Sequence, residues 1–188
     1  MKNKTTELID KISITAGKVS YFFTLALVLL VFGNVLLRYF FKVSINWLLE
    51  LEWHAFGIIF LLGAPVALLK NQHIRVDLFL PAFSPLKQRL VNGLGHLFLL
   101  MPWCVIAIAT TWAYASNAFY FKESSPNPGG LPAWYIVKYV VSLSFVLLLL
   151  QGVAEIIKVV KKTETGIPME NEVNHLPGSE KSGHSPVH

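Results

Sequence analysis

Charged residues and cysteine are both scarce in this sequence. Only 14% of its 188 residues are Asp, Glu, Lys or Arg, and 54% are hydrophobic, whereas soluble domains carry about 25% charged residues. The single cysteine, Cys104, excludes a disulfide within the chain. Because it lies inside an apolar run, it is predicted to be a small buried hydrophobe. The few charges fall between long uncharged blocks, which is typical of an integral membrane protein.

The sequence also lacks the short motifs that carry common chemistries. It has no phosphate-binding glycine loop, no HExxH zinc motif, no Cys/His metal set and no nucleophile elbow. Its net charge is +5, but the basic residues flank the apolar runs and are not interleaved with exposed aromatics. This pattern argues against a nucleic-acid partner. We therefore predict neither an enzymatic activity nor a cofactor.

Four apolar runs are long enough to cross a bilayer, for which about 20 residues suffice. They predict an all-α integral membrane protein with four transmembrane helices. The predicted order is an N-terminal segment (1–18), a membrane domain (19–157) and a disordered polar tail (158–188). Within the membrane domain the predicted spans are about 19–41, 47–69, 90–121 and 133–157.

The third run begins earlier than a membrane span requires. Ser84 and Pro85 suit a helix start, and a helix from Pro85 to Phe121 would be about 55 Å long. A hydrocarbon core of about 30 Å cannot hold that length upright. We expect an interfacial helical segment at residues 86–92, a strong tilt, or a bend near Pro102.

Basic residues predict the orientation of the chain. Twelve of the 16 Lys and Arg residues precede span one, lie between spans two and three, or follow span four, and four lie on the opposite side. The positive-inside rule then places both termini in the cytoplasm. In a bacterium this corresponds to a multi-pass protein of the inner membrane, in contact with membrane lipids.

Ionisable residues near the outer end of spans one and two require an explanation. Asn34 and Arg38 share one face of helix one, and Glu50 and His54 share one face of helix two. We predict an Arg38–Glu50 ion pair with Asn34 and His54 beneath it, while Glu52 points elsewhere. Such a group could pin the two helices together, relay protons or ions, or dock a partner. A haem held by His54 and His96 is disfavoured, because their depths differ by about 10 Å or more.

Two loops carry further candidate residues. The loop after span two reads KNQHIRVD, in which His73, Arg75 and Asp77 alternate; spacing alone indicates a solvated basic loop. The loop before span four contains Pro126, Asn127, Pro128, Gly129 and Gly130, which predicts a rigid turn. This turn is the main shape exposed on the outer side, and it could be a docking surface or a plain connector.

Taken together, these residues resemble the small permease subunit of tripartite ATP-independent periplasmic (TRAP) transporters, the DctQ-like family. The matching elements occur in order: GNVLLRYF at 33–40, Trp47 with Glu50 three residues later, FLLGAPVALL at 60–69 and HIRVD at 73–77. The resemblance covers about residues 15–157. ESSPNPGGLPAWYIVK, with LLQG at 149–152, looks like the branch of the family associated with keto acids, polyols and related compounds.

The resemblance implies a role in transport. A large multi-spanning permease subunit would carry the substrate and sodium sites, and a periplasmic substrate-binding protein would deliver organic acids or related solutes. The small subunit would be a non-catalytic scaffold. Residues of the family pattern would then have structural or interface roles: Arg38, Trp47, Glu50, His73, Arg75 and Asp77. The alternatives are the membrane anchor of a redox enzyme and a stand-alone four-helix exporter.

Overall fold

The computed structural model of the chain describes residues 4–70, 91 and 93–165, with side chains as far as residue 160. Four long helices make up nearly all of this part. They are α1 (Lys4–Phe40), α2 (Asn46–Leu69), α3 (Met101–Tyr120, preceded by the π-helical turn His96–Leu100) and α4 (Tyr135–Thr165). All four are long and apolar enough to cross a membrane, which confirms the predicted four-span, all-α architecture.

Two helices are longer than their predicted spans. At 37 residues, α1 is about 55 Å long, so its first turns project beyond the hydrocarbon core. The final helix, α4, continues to Thr165. The predicted start of a disordered tail at residue 158 was therefore wrong, since residues 158–165 are helical. Lys158 bonds to acidic side chains of α1 and α4, and these bonds anchor the extension.

The third span changes its hydrogen-bonding pattern directly before Pro102. The backbone N–H of Met101 donates to the carbonyl of His96, five residues earlier, in a π-helical turn over His96–Leu100. Proline has no N–H and cannot continue an α-helical ladder, so a wider turn at this point accommodates it. A bend near Pro102 was one of the three predicted ways to fit this long helix to the membrane, and it stays a prediction. The predicted interfacial segment, residues 86–92, lies outside the described residues except for Val91, which is helical.

The helices pack as two antiparallel pairs, α1 with α2 and α3 with α4, and α4 contacts all three other helices. A small core joins α2, α3 and α4 through Leu68, Cys104 and Leu148. Cys104 is fully buried there, as predicted for a small hydrophobe. Elsewhere large apolar side chains face outward: Phe22 on α1 is 66% exposed and Phe60 on α2 is 72% exposed, as suits contact with lipid or with another membrane protein.

Small residues bring α1 and α2 close together. A Cβ placed on Gly17 would lie 2.6 Å from Cγ2 of Val66, so only glycine fits this crossing. One turn further along α1, the hydroxyl of Ser20 donates to the carbonyl of Ile59 over 2.8 Å. Helices in membranes associate through close packing at small residues and through interhelical hydrogen bonds. Burial of apolar surface contributes little there, because lipid tails are themselves apolar.

Candidate functional site

A buried carboxylate organises one end of the bundle. This end carries residues 121–134 between α3 and α4, and we call it the loop end; the opposite end is the terminal end. Glu50, in the first turns of α2, is 6% exposed. Its Oε1 accepts hydrogen bonds from the Ser125 hydroxyl and, over 2.8 Å, from Nδ2 of Asn127. Its Oε2 accepts the backbone N–H of Leu131 over 2.7 Å. The carboxylate thus binds neutral donors from both sides of the loop.

The loop itself folds as an ordered turn around these bonds. The N–H of Ser125 donates to the carbonyl of Leu131, and the N–H of Gly130 donates to that of Asn127. Gly129 has a left-handed backbone with φ +70°, which glycine adopts without a steric penalty. Gly130 is confined more tightly, since a Cβ there would be 2.8 Å from Glu50 Oε1. The structure thus contains a hydrogen-bonded turn at the predicted place, with the Glu50 carboxylate at its centre.

Further contacts connect the loop with α2 and α4 and, through Lys138, with α3. Asn46, at the start of α2, donates from Nδ2 to the carbonyl of Pro128 over 2.9 Å. Glu123 forms a salt bridge with Lys138 of α4 at 2.5 Å, and the Lys138 ammonium lies 3.8 Å from the ring centroid of Tyr114 on α3. The loop therefore joins the ends of α2, α3 and α4.

The predicted Arg38–Glu50 ion pair was wrong. Glu50 faces the loop, and Glu52 faces α1, where its Oε1 accepts Nδ2 of Asn34 over 2.8 Å. The two glutamates do point in different directions, but the assignment was reversed. Arg38 is exposed, and the ion pairs found among the described residues do not include it. At this end, α1 and α2 are therefore joined by a hydrogen bond between the Asn34 amide and the Glu52 carboxylate.

Two other predicted residues of α2 lie beside this arrangement. Nδ1 of His54 is 2.5 Å from the carbonyl of Glu50, within the same helix, and its ring meets Trp134 edge to face with centroids 5.9 Å apart. The histidine therefore packs under the loop, against Trp134. Trp47 is 45% exposed, consistent with an aromatic side chain at a membrane interface.

A second polar cluster lies at the terminal end, and sequence reasoning missed it. Gln151 of α4 is fully buried. Its Oε1 accepts the Ser13 hydroxyl over 2.7 Å, and its Nε2 donates to Asp10 over 3.2 Å and to Glu155 over 2.9 Å. Lys158 bonds both carboxylates at 2.8 Å. An available signal was the glutamine in the apolar run SFVLLLLQG, because an uncharged amide in a span usually bonds to another helix.

The remaining predicted residues, His73, Arg75 and Asp77, lie outside the described residues. Within the described part no group of three or more His, Cys, Asp or Glu side chains is placed to hold a metal ion. Apart from His54 and Glu155, which bond within their own helices, the polar side chains described above bond across helices or to the loop. These bonds can fix the positions of the helices and the conformation of the loop.

Comparison with known proteins identifies the family. Residues 27–162, more than half of the chain, match the family described as tripartite ATP-independent periplasmic transporters, DctQ component. The chain is 29% identical over 112 residues to the C4-dicarboxylate TRAP transporter small permease protein DctQ of Vibrio cholerae, covering 57% of this chain and 48% of that protein. It is 31% identical over 104 residues to a putative TRAP transporter small permease protein of Haemophilus influenzae, covering 55% and 64%.

The matched segments thus span about half to two thirds of the length of these relatives. The family match includes the last 14 residues of α1, all of α2 and α3, and nearly all of α4, together with the loop that Glu50 holds. The chain therefore belongs to the DctQ family, the small permease components of tripartite ATP-independent periplasmic transporters.

Proposed function

We propose that this chain is the non-catalytic small membrane subunit of a sodium-coupled tripartite importer of organic acids or related solutes. In this proposal it braces a large permease subunit in the inner membrane, and both of its termini are cytoplasmic. A periplasmic binding protein delivers the solute. The name of the V. cholerae relative, which specifies C4-dicarboxylates, supports an organic acid as the transported class.

The observation that carries the scaffold role is the use of polar side chains inside the bundle. Ser13 bonds Gln151, Asn34 bonds Glu52, and the Ser142 hydroxyl donates to that of Thr111 over 3.0 Å. A transport path needs polar groups that face a shared route for the solute. In the described part of the chain these groups hold one helix to the next, which favours bracing over conduction.

The loop-end tip of α1 supplies a candidate contact for the large subunit. Arg38 is exposed there beside three aromatic side chains, Tyr39, Phe40 and Phe41, which are 71–78% exposed. Aromatic rings are common at membrane interfaces and in the centres of protein interfaces. An arginine among them offers a bidentate hydrogen-bonding group for an acidic partner. We place the large subunit against this tip.

The loop offers a second contact, for the binding protein. Residues 126–129 are exposed, while Glu50 holds their flanks from below. A surface fixed before binding loses little conformational entropy when a partner docks. The predicted docking role of Pro126–Gly130 therefore remains part of the proposal, as does a junction role for the HIRVD segment.

Reconstitution tests the function directly. Proteoliposomes holding this chain, the large permease subunit and the binding protein of the same transporter should accumulate solute only with an inward sodium gradient. Omission of any component should abolish uptake. Uptake by this chain alone would instead indicate an exporter-like carrier, and a haem or iron–sulfur protein as its stable partner would indicate a redox anchor.

The contact at the tip of α1 has its own test. Arg38→Gln should reduce co-purification of the large subunit, and Lys11→Gln should not, because Lys11 is an exposed basic residue of the same helix near the opposite end. If both variants retained the large subunit equally, the tip of α1 would not be its binding site.

A further inference from the structure

A basic groove lies between α1 and α2 at the terminal end. It has a volume of about 310 Å³ and is lined by Ile14, Gly17, Lys18, Tyr21, Val66 and Lys70. Its floor is the close crossing of Gly17 and Val66. The contacts that explain the fold and the proposed scaffold role use neither of its lysines.

Both lysines lie at the depth where lipid headgroups begin. Lys18 directly precedes the uncharged run that starts at Val19, and Lys70 directly follows the last residue of α2. Lysine at the ends of spanning helices places its ammonium at the membrane–water interface. The groove therefore opens between two spanning helices at headgroup level.

The groove is positively charged, and the described residues provide no salt-bridge partner for either of its lysines. Lys18 and Lys70 are both exposed, and the salt bridges among the described residues involve only Lys138 and Lys158. Two ammonium groups at one groove repel each other, and an anion between them offsets this repulsion. Tyr21, which is 78% exposed, adds a hydroxyl donor to the same groove.

The walls indicate what kind of anion fits. Tyr21 and Val66 provide apolar surface on the membrane side of the two lysines. A soluble anion would gain nothing from such walls, whereas a phospholipid presents a phosphate above and apolar chains below. Basic pockets between spanning helices bind anionic lipid headgroups for this reason.

We propose that this groove is a binding site for one anionic phospholipid, with the lipid phosphate between Lys18 and Lys70 and its chains against Tyr21 and Val66. The site depends on the chain spanning a membrane and not on the large subunit, so it can be tested on the full-length chain alone. A failed uptake assay would leave it untouched.

Native mass spectrometry of the full-length chain in a neutral detergent tests the site. The chain is titrated with phosphatidylglycerol or phosphatidylcholine, and retained lipid is counted. The double variant Lys18→Gln/Lys70→Gln should bind phosphatidylglycerol roughly 10- to 30-fold more weakly, because each basic residue near a membrane surface contributes about a 5-fold gain. Retention of phosphatidylcholine should not change.

Two matched variants separate a specific site from general charge. Lys4→Gln/Lys11→Gln removes two charges of α1 outside the groove and should change phosphatidylglycerol binding less than about 2-fold. Lys18→Arg/Lys70→Arg keeps both charges and should retain the lipid. An equal loss in both glutamine variants, or no loss in Lys18→Gln/Lys70→Gln, would overturn the proposal. Competition by glycerol phosphate as effective as that by phosphatidylglycerol would also overturn it, in favour of a soluble-anion site.

Discussion

Replacing Gly17 by alanine tests how closely α1 and α2 must approach. The added Cβ would lie 2.6 Å from Cγ2 of Val66, 3.4 Å from its Cβ and 3.5 Å from its Cγ1. Valine in a helix strongly prefers one χ1 rotamer, so rotating Cγ2 of Val66 out of this space is unfavourable. The helices must therefore separate or shift for the alanine to fit.

The expected magnitude follows from two opposing effects. Overpacking of this kind costs about 1–3 kcal/mol, while Gly→Ala within a helix gains up to about 1 kcal/mol. Gly17→Ala should then lower the free energy of unfolding by up to about 2 kcal/mol. Gly33 of the same helix is the matched control, because an added Cβ there has no neighbour within 4 Å. Gly33→Ala should be neutral or stabilising.

The assay is unfolding in mixed micelles by increasing SDS, followed by circular dichroism. The double variant Gly17→Ala/Val66→Ala should recover stability, because removal of both valine methyls reopens the space. The coupling energy between the two sites should then be about 1–3 kcal/mol. If Gly17→Ala unfolded at the same SDS fraction as Gly33→Ala, the crossing would be looser than the structure indicates.

Three further predictions concern the two polar clusters and the C-terminal end. Glu50→Gln should speed hydrogen exchange of the loop amides, because the amide NH₂ of glutamine cannot accept the hydrogen bonds that one carboxylate oxygen accepts. Glu52→Gln should leave exchange in the loop unchanged. Similar exchange in both variants would contradict the role given to Glu50. Gln151→Leu should lower the free energy of unfolding by roughly 1–2 kcal/mol in the same SDS titration, and unchanged stability would show that the terminal-end cluster contributes little. Deletion of residues 166–188 should leave uptake by the reconstituted transporter intact; loss of uptake at a normal protein level would assign that segment a function.

The number and order of the spanning helices could be predicted from the sequence. Uncharged runs of about 20 residues have few alternatives in a membrane, since every backbone polar group must be bonded within the segment. The buried state of Cys104 and the ordered turn around Gly129 also followed from local patterns. These features depend on composition and turn chemistry within one stretch of chain.

The partners of the buried polar side chains could not be predicted in the same way. Spacing placed Glu50 and Arg38 near the same end of neighbouring helices. Glu50 and Glu52 are two positions apart, about 200° around α2, so they face different sides, but spacing alone does not tell which of them faces α1. The donors that bind Glu50 are 75–81 residues further along the chain. Local patterns carry no information about such distant contacts.

The terminal-end cluster has a consequence for the order in which the protein can assemble. Ser13 and Gln151 are 138 residues apart, and Asp10 and Lys158 are 148 residues apart. Helix α1 is made and inserted first, yet its acidic and hydroxyl groups find these partners only after the ribosome has completed the last span. Before that, the extensive contact of α1 with the described helices is the one with α2, so closure of the bundle is a late event in biogenesis. A chain that stalls before residue 151 cannot form the contact between Ser13 and Gln151.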